Sequence, residues 1–261
     1  MRISVTIAIV LCAMFAGIVQ AQPKTQPPPL PMHELKYFVG SPQMLGDGHI
    51  YTWVRIDTRN RPVALGVTFS ESALNNLPNL DSEYLLRFPE VVTVTPYNHF
   101  AIDWQPMGHF PMQFYGVPHF DFHFYMISPQ DRGLITGYGA DVARLNRLPA
   151  ANYIPAGYVP AYPAVALMGL HWVRMDFPEF HGQPFTQSLL YGSYNGRFTF
   201  IEPMITRAFL LAHPATVKRQ MYQSKTVAMS GYYPTWYTVT YDGTRHLYTV
   251  ALEGLVYRQA K

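Results

Sequence analysis

Three side chains that can bind a metal ion or transfer a proton alternate with aromatic side chains in the segment 118–125, PHFDFHFY. In a β-strand, successive side chains point to opposite faces, so His119, Asp121 and His123 would share one face of a sheet. The three phenylalanines between them would share the other face and pack into a core. Imidazole and carboxylate groups that face one space are the donors of a metal site or an acid–base site. The segment therefore predicts a site, although it does not identify a reaction.

The spacing of these residues limits how they can share one ion. Residues two apart on a strand are separated by about 6.6–6.8 Å along it, and residues four apart by about 13 Å. An ion bound by both His119 and His123 would need a bend or a bulge between them. The sequence thus allows either Asp121 with one of these histidines or a bent strand that presents all three.

Other parts of the chain supply three further candidate ligands, His109, His171 and Glu202. Glu202 lies among apolar residues next to Pro203, where an unpaired carboxylate is costly to bury, and this favours a position facing the cluster. A mixed imidazole and carboxylate set suits a divalent transition metal, with zinc first and manganese, iron or nickel as alternatives. An ion with an open position would activate water, which predicts a hydrolase or hydratase; binding without turnover fits the same residues.

The signatures of several other site types are absent from the sequence. It contains no Gly-x-Ser-x-Gly elbow, no His-Glu-x-x-His pair, no phosphate-binding glycine-rich loop and no dinucleotide fingerprint. Four other histidines are interpreted as ordinary surface or turn residues: His99, His181, His213 and His246.

The first 32 residues are typical of an exported protein. Residues 1–21 combine one arginine, an apolar stretch and the small-residue sequence Val19-Gln20-Ala21, which predicts a cleaved signal peptide. Residues 22–32 form a proline-rich tether, and 33–261 are predicted to be a single β-rich domain. The one cysteine, Cys12, lies in the signal, so the exported chain would have no disulfide and no thiolate ligand. We expect a periplasmic or secreted protein without a stable membrane anchor.

The composition limits the choice of partners. The formal net charge is only +3 and no basic run occurs, so a nucleic-acid partner is not expected. Charged residues make up 13% of the chain and aromatic residues 15%, which implies a surface lean in charge. Exposed aromatic side chains would line a small-molecule pocket or a subunit interface, so we expect a homo-oligomer.

Short strand patterns and turn signals run through the chain from residue 49. Strands are predicted at 49–57, 62–69, 91–94, 99–104, 119–126, 166–173, 185–191, 197–202, 235–241 and 246–257. Short helices are predicted at 70–77, 140–147 and 205–213, and the proline-containing segment 148–163 is predicted to be a loop. This density of short strands predicts an all-β fold, a mainly antiparallel barrel or sandwich with a few short helices.

Several segments resemble a family of secreted bacterial proteins of unknown function, whose type member is a thermophile protein under sigma-E/anti-sigma-E control. The similar segments are 51–57, 62–67, 73–78, 103–109, 118–125, 168–172, 200–204 and 252–258. The resemblance implies a β-rich fold and oligomerisation, but no activity. An acidic residue follows the Gly-His dipeptide in that family's pattern, whereas this chain has Phe110, so the role of His109 stays open.

Three functions are compatible with these features. The first, which we take as the working hypothesis, is an exported metal-binding β protein, with a metal-dependent hydrolase or hydratase as its catalytic form. The second is a calycin-like small-molecule-binding protein without catalysis, in which the polar cluster would hydrogen-bond a ligand. The third is an envelope-stress structural oligomer without a small-molecule site.

Overall fold

The strands of this protein form antiparallel sheets in a computed structural model, which describes residues 35–90 and 95–261. In chain order they are β1 (Lys36–Val39), β2 (Gln43–Leu45), β3 (Gly48–Ile56), β4 (Pro62–Ser70), β5 (Ser82–Arg87), β6 (His99–Gln105), β7 (His119–Tyr125), β8 (Tyr158–Val165), β9 (Gly169–Arg174), β10 (Gln187–Tyr194), β11 (Arg197–Thr206), β12 (Val217–Gln220), β13 (Gly231–Tyr233), β14 (Trp236–Asp242), β15 (Leu247–Glu253) and β16 (Val256–Arg258). The predicted signal peptide, the tether and the strand at 91–94 lie outside the described residues.

The helices of the described residues are short. The α-helices are α1 (Met112–Tyr115), α2 (Pro129–Gly133), α3 (Val142–Leu145) and α4 (Arg207–Leu211). Single 3-10 turns occur at Glu71–Leu74, Gly139–Asp141, Ala151–Tyr153 and Pro178–His181. Among the described residues, no helix combines the length and the apolar character that a membrane span requires.

Two seven-stranded sheets contain most of the strands. Sheet A has the order β1-β3-β4-β15-β14-β12, with β2 beside β3, and sheet B has the order β5-β6-β7-β11-β10-β9-β8. Strands β13 and β16 form a small third sheet. The predicted mainly antiparallel all-β fold is confirmed, and since no sheet within residues 35–90 and 95–261 closes on itself, the fold is consistent with a sandwich and not with a barrel.

The main core lies between the two large sheets. It contains Phe120, Phe122 and Phe124 of β7 together with the inward-facing residues of β3, β4, β14 and β15. The rings of Phe122 and Phe69 stack 6.0 Å apart across the interface. The aromatic half of the alternating segment therefore packs as its period of two predicts, and the polar half of β7 must face the other side of sheet B.

Some predicted elements need correction. Part of the predicted loop 148–163 is strand β8, which lies at the edge of sheet B; prolines are accepted there because an edge strand has one side without ladder partners. The predicted helix at 70–77 is only the 3-10 turn Glu71–Leu74. The predicted helix at 205–213 begins at Arg207, because β11 continues through Thr206, whose Oγ1 accepts a hydrogen bond from the amide of Phe209 at 3.1 Å.

Candidate metal centre

The predicted site residues lie on the face of sheet B that points away from sheet A. Strand β7 is central in this sheet, and Asp121 lies opposite Asp103 on β6 and opposite Met204 on β11. A second apolar cluster covers this face, formed by Tyr115, Val173, Phe185, Leu190 and Met204. As a result, His119 and His123 are 0% exposed. The polar residues are therefore enclosed between the sheet and the segments that cross its outer face.

His109, His119 and Asp121 form the first set of candidate ligands, which we call the aspartate group. The Nε2 atom of His119 lies 3.1 Å from Oδ1 of Asp121, and Nε2 of His109 lies 3.4 Å from Oδ2. His119 and Asp121 come from β7, whereas His109 comes from the loop that follows β6. One donor atom from each residue lies within 4.8 Å of the others.

Main-chain carbonyl groups orient both histidines of the aspartate group. Nδ1 of His119 lies 2.7 Å from the carbonyl oxygen of Val117, and Nδ1 of His109 lies 2.9 Å from that of Phe110. A carbonyl can only accept, so each Nδ1 must donate, and in the neutral imidazole Nε2 then carries a lone pair. Such a second interaction is common for histidines that bind metals. The backbone of Phe110 thus orients His109 without an acidic side chain at this position.

His123, His171 and Glu202 form the second set, which we call the glutamate group. Nε2 of His123 lies 3.5 Å from Oε1 of Glu202, and Nε2 of His171 lies 3.4 Å from Oε2. The pairing of β7 with β11 places Glu202 next to His123, while His171 enters from β9 across Gly192 of β10. The three residues again bring one donor atom each within 4.8 Å of one another.

Several of these donor atoms have no hydrogen-bond partner among the described residues, although they are buried. They are His119 Nε2, Asp121 Oδ1, Glu202 Oε2 and both ring nitrogens of His123. The nitrogen–oxygen pairs are close but lack the alignment of hydrogen bonds. A nitrogen and an oxygen bound to one tetrahedral zinc ion at 2.0–2.1 Å would be about 3.3 Å apart. The shortest nitrogen–oxygen separations, 3.1 Å in the aspartate group and 3.4 Å in the glutamate group, are close to this value, and the two histidines of each group approach different oxygens of the carboxylate. Buried polar atoms without a protein partner are rare, and a cation bound between them would satisfy them.

Asp103 is a functional candidate that the sequence reasoning missed. Its Oδ2 atom lies 3.0 Å from Nδ1 of His123, on the side of the ring opposite Glu202. The sequence contained a signal for this residue, because β6 shows the same alternation as β7. Phe100, Ile102 and Trp104 pack into the core, so Asp103 must point to the opposite face of the sheet, where the site lies.

The charges of the two groups strongly affect each other. Burial raises the pKa of Glu202 to about 8, although the charge of His123 acts in the opposite direction. Burial alone would lower the pKa of His109 and of His123, but Asp121 beside the first and Glu202 beside the second raise both to about 9. Burial, reinforced by the charge of His123, lowers the pKa of His171 to about 3. The buried carboxylates therefore attract positive charge, which protons or metal ions can supply.

His99 is not the surface residue that the sequence suggested. It lies in β6, is 1% exposed, and stacks on Tyr125 with 4.7 Å between the ring centroids. Burial lowers its pKa to about 4, so the ring is neutral at pH 7. It belongs to neither group of candidate ligands. The interpretation of His181, His213 and His246 as exposed residues agrees with the structure.

The structure brings all six predicted ligands to one face of sheet B, but in two groups. Asp121 is joined by His119 of its own strand and by His109, while His123 belongs with His171 and Glu202. Of the two arrangements that the spacing allowed, the structure shows Asp121 grouped with one histidine of its own strand. Strand β7 does not bend to present all three of its polar residues to one point. That these residues bind a metal stays a prediction.

Comparison with protein families gives a partial match. A family model described as TTHB210-like (Hypothetical protein TTHB210) matches residues 57–104. The matched segment includes Asp103 but none of the six predicted ligands, and it covers less than half of the chain. It supports similarity to a small uncharacterised family, and it does not bear on sigma-E control or secretion. No curated protein and no solved structure matches the chain.

Proposed function

We propose that this chain is an exported metal-binding protein that holds one divalent transition-metal ion in the aspartate group and one in the glutamate group. One observation carries the proposal: each group presents two imidazoles and one carboxylate within 4.8 Å, largely buried. Zinc is the first candidate, and manganese, iron and nickel accept the same donors.

The donor sets favour a catalytic type of site over a purely structural one. Structural zinc sites use four protein ligands, whereas two histidines with one carboxylate leave a position open. The chemistry that such an ion supplies is activation of water or polarisation of a carbonyl, as in a hydrolase or hydratase. Solvent reaches each group through one ligand, since the side chains of His109 and His171 are 34% and 15% exposed.

The misaligned nitrogen–oxygen pairs support metal binding over a site that only hydrogen-bonds a ligand. If the cluster served as a hydrogen-bonding network, its buried members would satisfy one another in the free protein. Instead, Nε2 of His119 and Oδ1 of Asp121 lie 3.1 Å apart without forming a hydrogen bond. Two lone pairs that converge in this way are satisfied by a cation placed between them.

Export and self-association are part of the same proposal. The composition of residues 1–21 supports export. Large exposed apolar side chains support a homo-oligomer, among them Tyr37, Met44, Leu80 and Tyr257. Cell fractionation and sedimentation velocity of the processed protein would test these two points.

Metal content measured by elemental analysis tests the function. The protein, purified without a tag and dialysed against zinc, should bind about two equivalents, one for each set of deprotonated ligands. Asp121→Asn and Glu202→Gln, which preserve side-chain shape, should each remove about one equivalent, and the double variant both. His49→Gln, an exposed histidine outside both groups, is the matched control.

Three results would contradict the proposal. If zinc, manganese and nickel all fail to occupy the protein, the groups are not metal sites. An organic ligand detected by native mass spectrometry at these residues, without metal, would favour the small-molecule alternative. If either single variant abolished all binding, the two groups would form one site rather than two.

A further inference from the structure

A cavity of about 390 Å³ lies on the other side of sheet B from the metal groups. It lies between the core-facing side of β10 and β11 and the loop 221–229, and none of the candidate metal ligands lines it. Ile201 contributes to its wall, whereas the next residue, Glu202, points to the opposite face. Its volume is within the range of small-molecule sites, about 300–1,000 Å³.

The inner wall of this cavity is apolar. It is lined by four residues that are each at most 6% exposed, Tyr191, Ile201, Met221 and Val227. Phe198 and Met126 pack beside them. The transfer of an alkyl chain or a ring from water to a wall of this kind is favourable. Such a wall favours an apolar group over a strongly hydrated sugar or a free inorganic ion.

The mouth of the cavity carries positive charge that no carboxylate side chain neutralises within the described part of the chain. Arg197, Arg258 and Lys261 line the cavity, and its lining contains no aspartate or glutamate side chain. Arg258 donates only to neutral acceptors, the carbonyl oxygen of Ser224 at 2.8 Å and, more weakly, Oε1 of Gln223. The hydroxyl of Thr226, also in the lining, is buried without a partner. These groups would pair with an anionic head.

Hydrogen bonds fix the loop 221–229 that borders the cavity. The amide of Thr226 donates to the carbonyl of Asn152 at 3.0 Å, and Nε2 of Gln223 donates to the carbonyl of Pro234 at 3.0 Å. Tyr233 donates to the carbonyl of Met229 at 2.8 Å. A loop fixed at several points does not need to be ordered on binding, which reduces the entropic cost of association.

We propose that this cavity binds a medium-chain fatty acid, with its alkyl chain against Tyr191 and Ile201 and its carboxylate between Arg197 and Arg258. Because this site is formed by the opposite face of the sheet, the proposal does not depend on metal binding. Should the metal content of the protein prove to be zero, the fatty-acid site would stand unchanged.

Titration calorimetry with decanoate tests the proposal on the full processed protein. Decanoate should bind with one equivalent per chain, and decanol and decyltrimethylammonium at least about tenfold more weakly, because neither carries an anionic group that can form a charge-assisted pair with the arginines. Arg258→Gln and Arg197→Gln should each weaken decanoate binding about tenfold. Ala228→Trp, which places a large ring in the cavity from an exposed position, should abolish it.

Two control variants make the test decisive. Arg245→Gln removes an arginine of the β14–β15 turn whose side chain is 77% exposed, and should leave decanoate binding unchanged. The double variant Asp121→Asn/Glu202→Gln, which removes both metal groups, should also leave it unchanged, whereas decanoate bound through a metal would be lost. The absence of binding, equal affinity for decanoate and decyltrimethylammonium, or undiminished binding to Ala228→Trp would overturn the proposal.

Discussion

Nδ1 of His123 lies 3.0 Å from Oδ2 of Asp103, on the strand next to its own. The other ring nitrogen, Nε2, lies 3.5 Å from Oε1 of Glu202. One imidazole thus stands between two buried carboxylates, one of which belongs to the proposed glutamate group. A carboxylate behind a metal-binding histidine commonly orients the ring and increases its basicity.

Asp103→Asn is therefore expected to weaken metal binding at the glutamate group by about 10–100-fold. The aspartate group should keep its affinity, because the histidines there are oriented by the carbonyl oxygens of Val117 and Phe110. Competition with a chelator, followed separately in the Asp121→Asn and Glu202→Gln backgrounds, measures the two affinities. Equal losses in both backgrounds would show that Asp103 acts through the fold and not through His123; Asp47→Asn is the exposed control.

Metal affinity should increase with pH across the neutral range. The carboxylates raise the pKa values of His109 and His123 to about 9, although burial acts against them, and burial raises the pKa of Glu202 to about 8. At pH 7 a metal ion must therefore displace one proton from the aspartate group and two from the glutamate group. Each displaced proton makes the affinity rise about tenfold per pH unit below the pKa of the residue that loses it. Zinc affinities measured at pH 6, 7 and 8 check this expectation, and a pH-independent affinity would contradict it.

Gly192→Ala should disturb the glutamate group by displacing the ring of Phe200, which packs against two of its histidines. Gly192 lies on β10 between His171 and Phe200, and a Cβ atom there would overlap the ring of Phe200. That ring is buried and contacts His123 and His171 at centroid distances of 4.9 and 5.4 Å. We expect a loss of about 1–3 kcal/mol in the free energy of unfolding, because the core must accept an extra methyl group.

Two quantities are measured for this variant: the free energy of unfolding in denaturant and zinc binding at the glutamate group. Gly243→Ala is the matched control, since a Cβ atom at that turn position would make only an ordinary contact with Tyr241. A Gly192→Ala protein with unchanged stability and two bound equivalents of zinc would show that the Phe200 ring can move without cost.

The lowered pKa of Glu71 predicts how the stability of the folded protein depends on pH. Glu71 accepts a hydrogen bond from Tyr241 and lies 2.7 Å from ring nitrogens of both His246 and His213. The bond from Tyr241, followed by that from His246, lowers the pKa of Glu71 from 4.5 to about 2. Because the folded-state pKa lies below the unfolded value, this contribution is present above pH 4.5 and is lost as the pH falls towards 2.

Glu71→Gln should therefore lower the melting temperature at pH 6, and the difference from the unmodified protein should shrink at pH 3. Thermal unfolding followed by circular dichroism at the two pH values measures it. Glu90→Gln, at an exposed position, serves as the control and should show no such pH dependence. A difference that grows on acidification would mean that Glu71 does not stabilise the protein as a carboxylate.

The sequence by itself determined the local arrangement of β7 and the fold class. Alternation in a strand follows from the covalent geometry of the backbone, so Phe122 had to face the core if Asp121 faced a site. The asparagine–glycine turn at Asn195 is equally local, and both of its residues have the positive φ angles that such a hairpin turn requires.

Only the tertiary structure decided which residues meet. His109, His171 and Glu202 were recognised by residue type, but their partners depend on the strand order β6-β7-β11-β10-β9, which no local pattern specifies. The alternation of β6 indicates which face Asp103 occupies, but its approach to His123 depends on β6 lying beside β7. Distances along a strand are set by its own backbone, whereas distances between strands are set by the packing of the whole sheet, and that packing divided the predicted cluster into two groups.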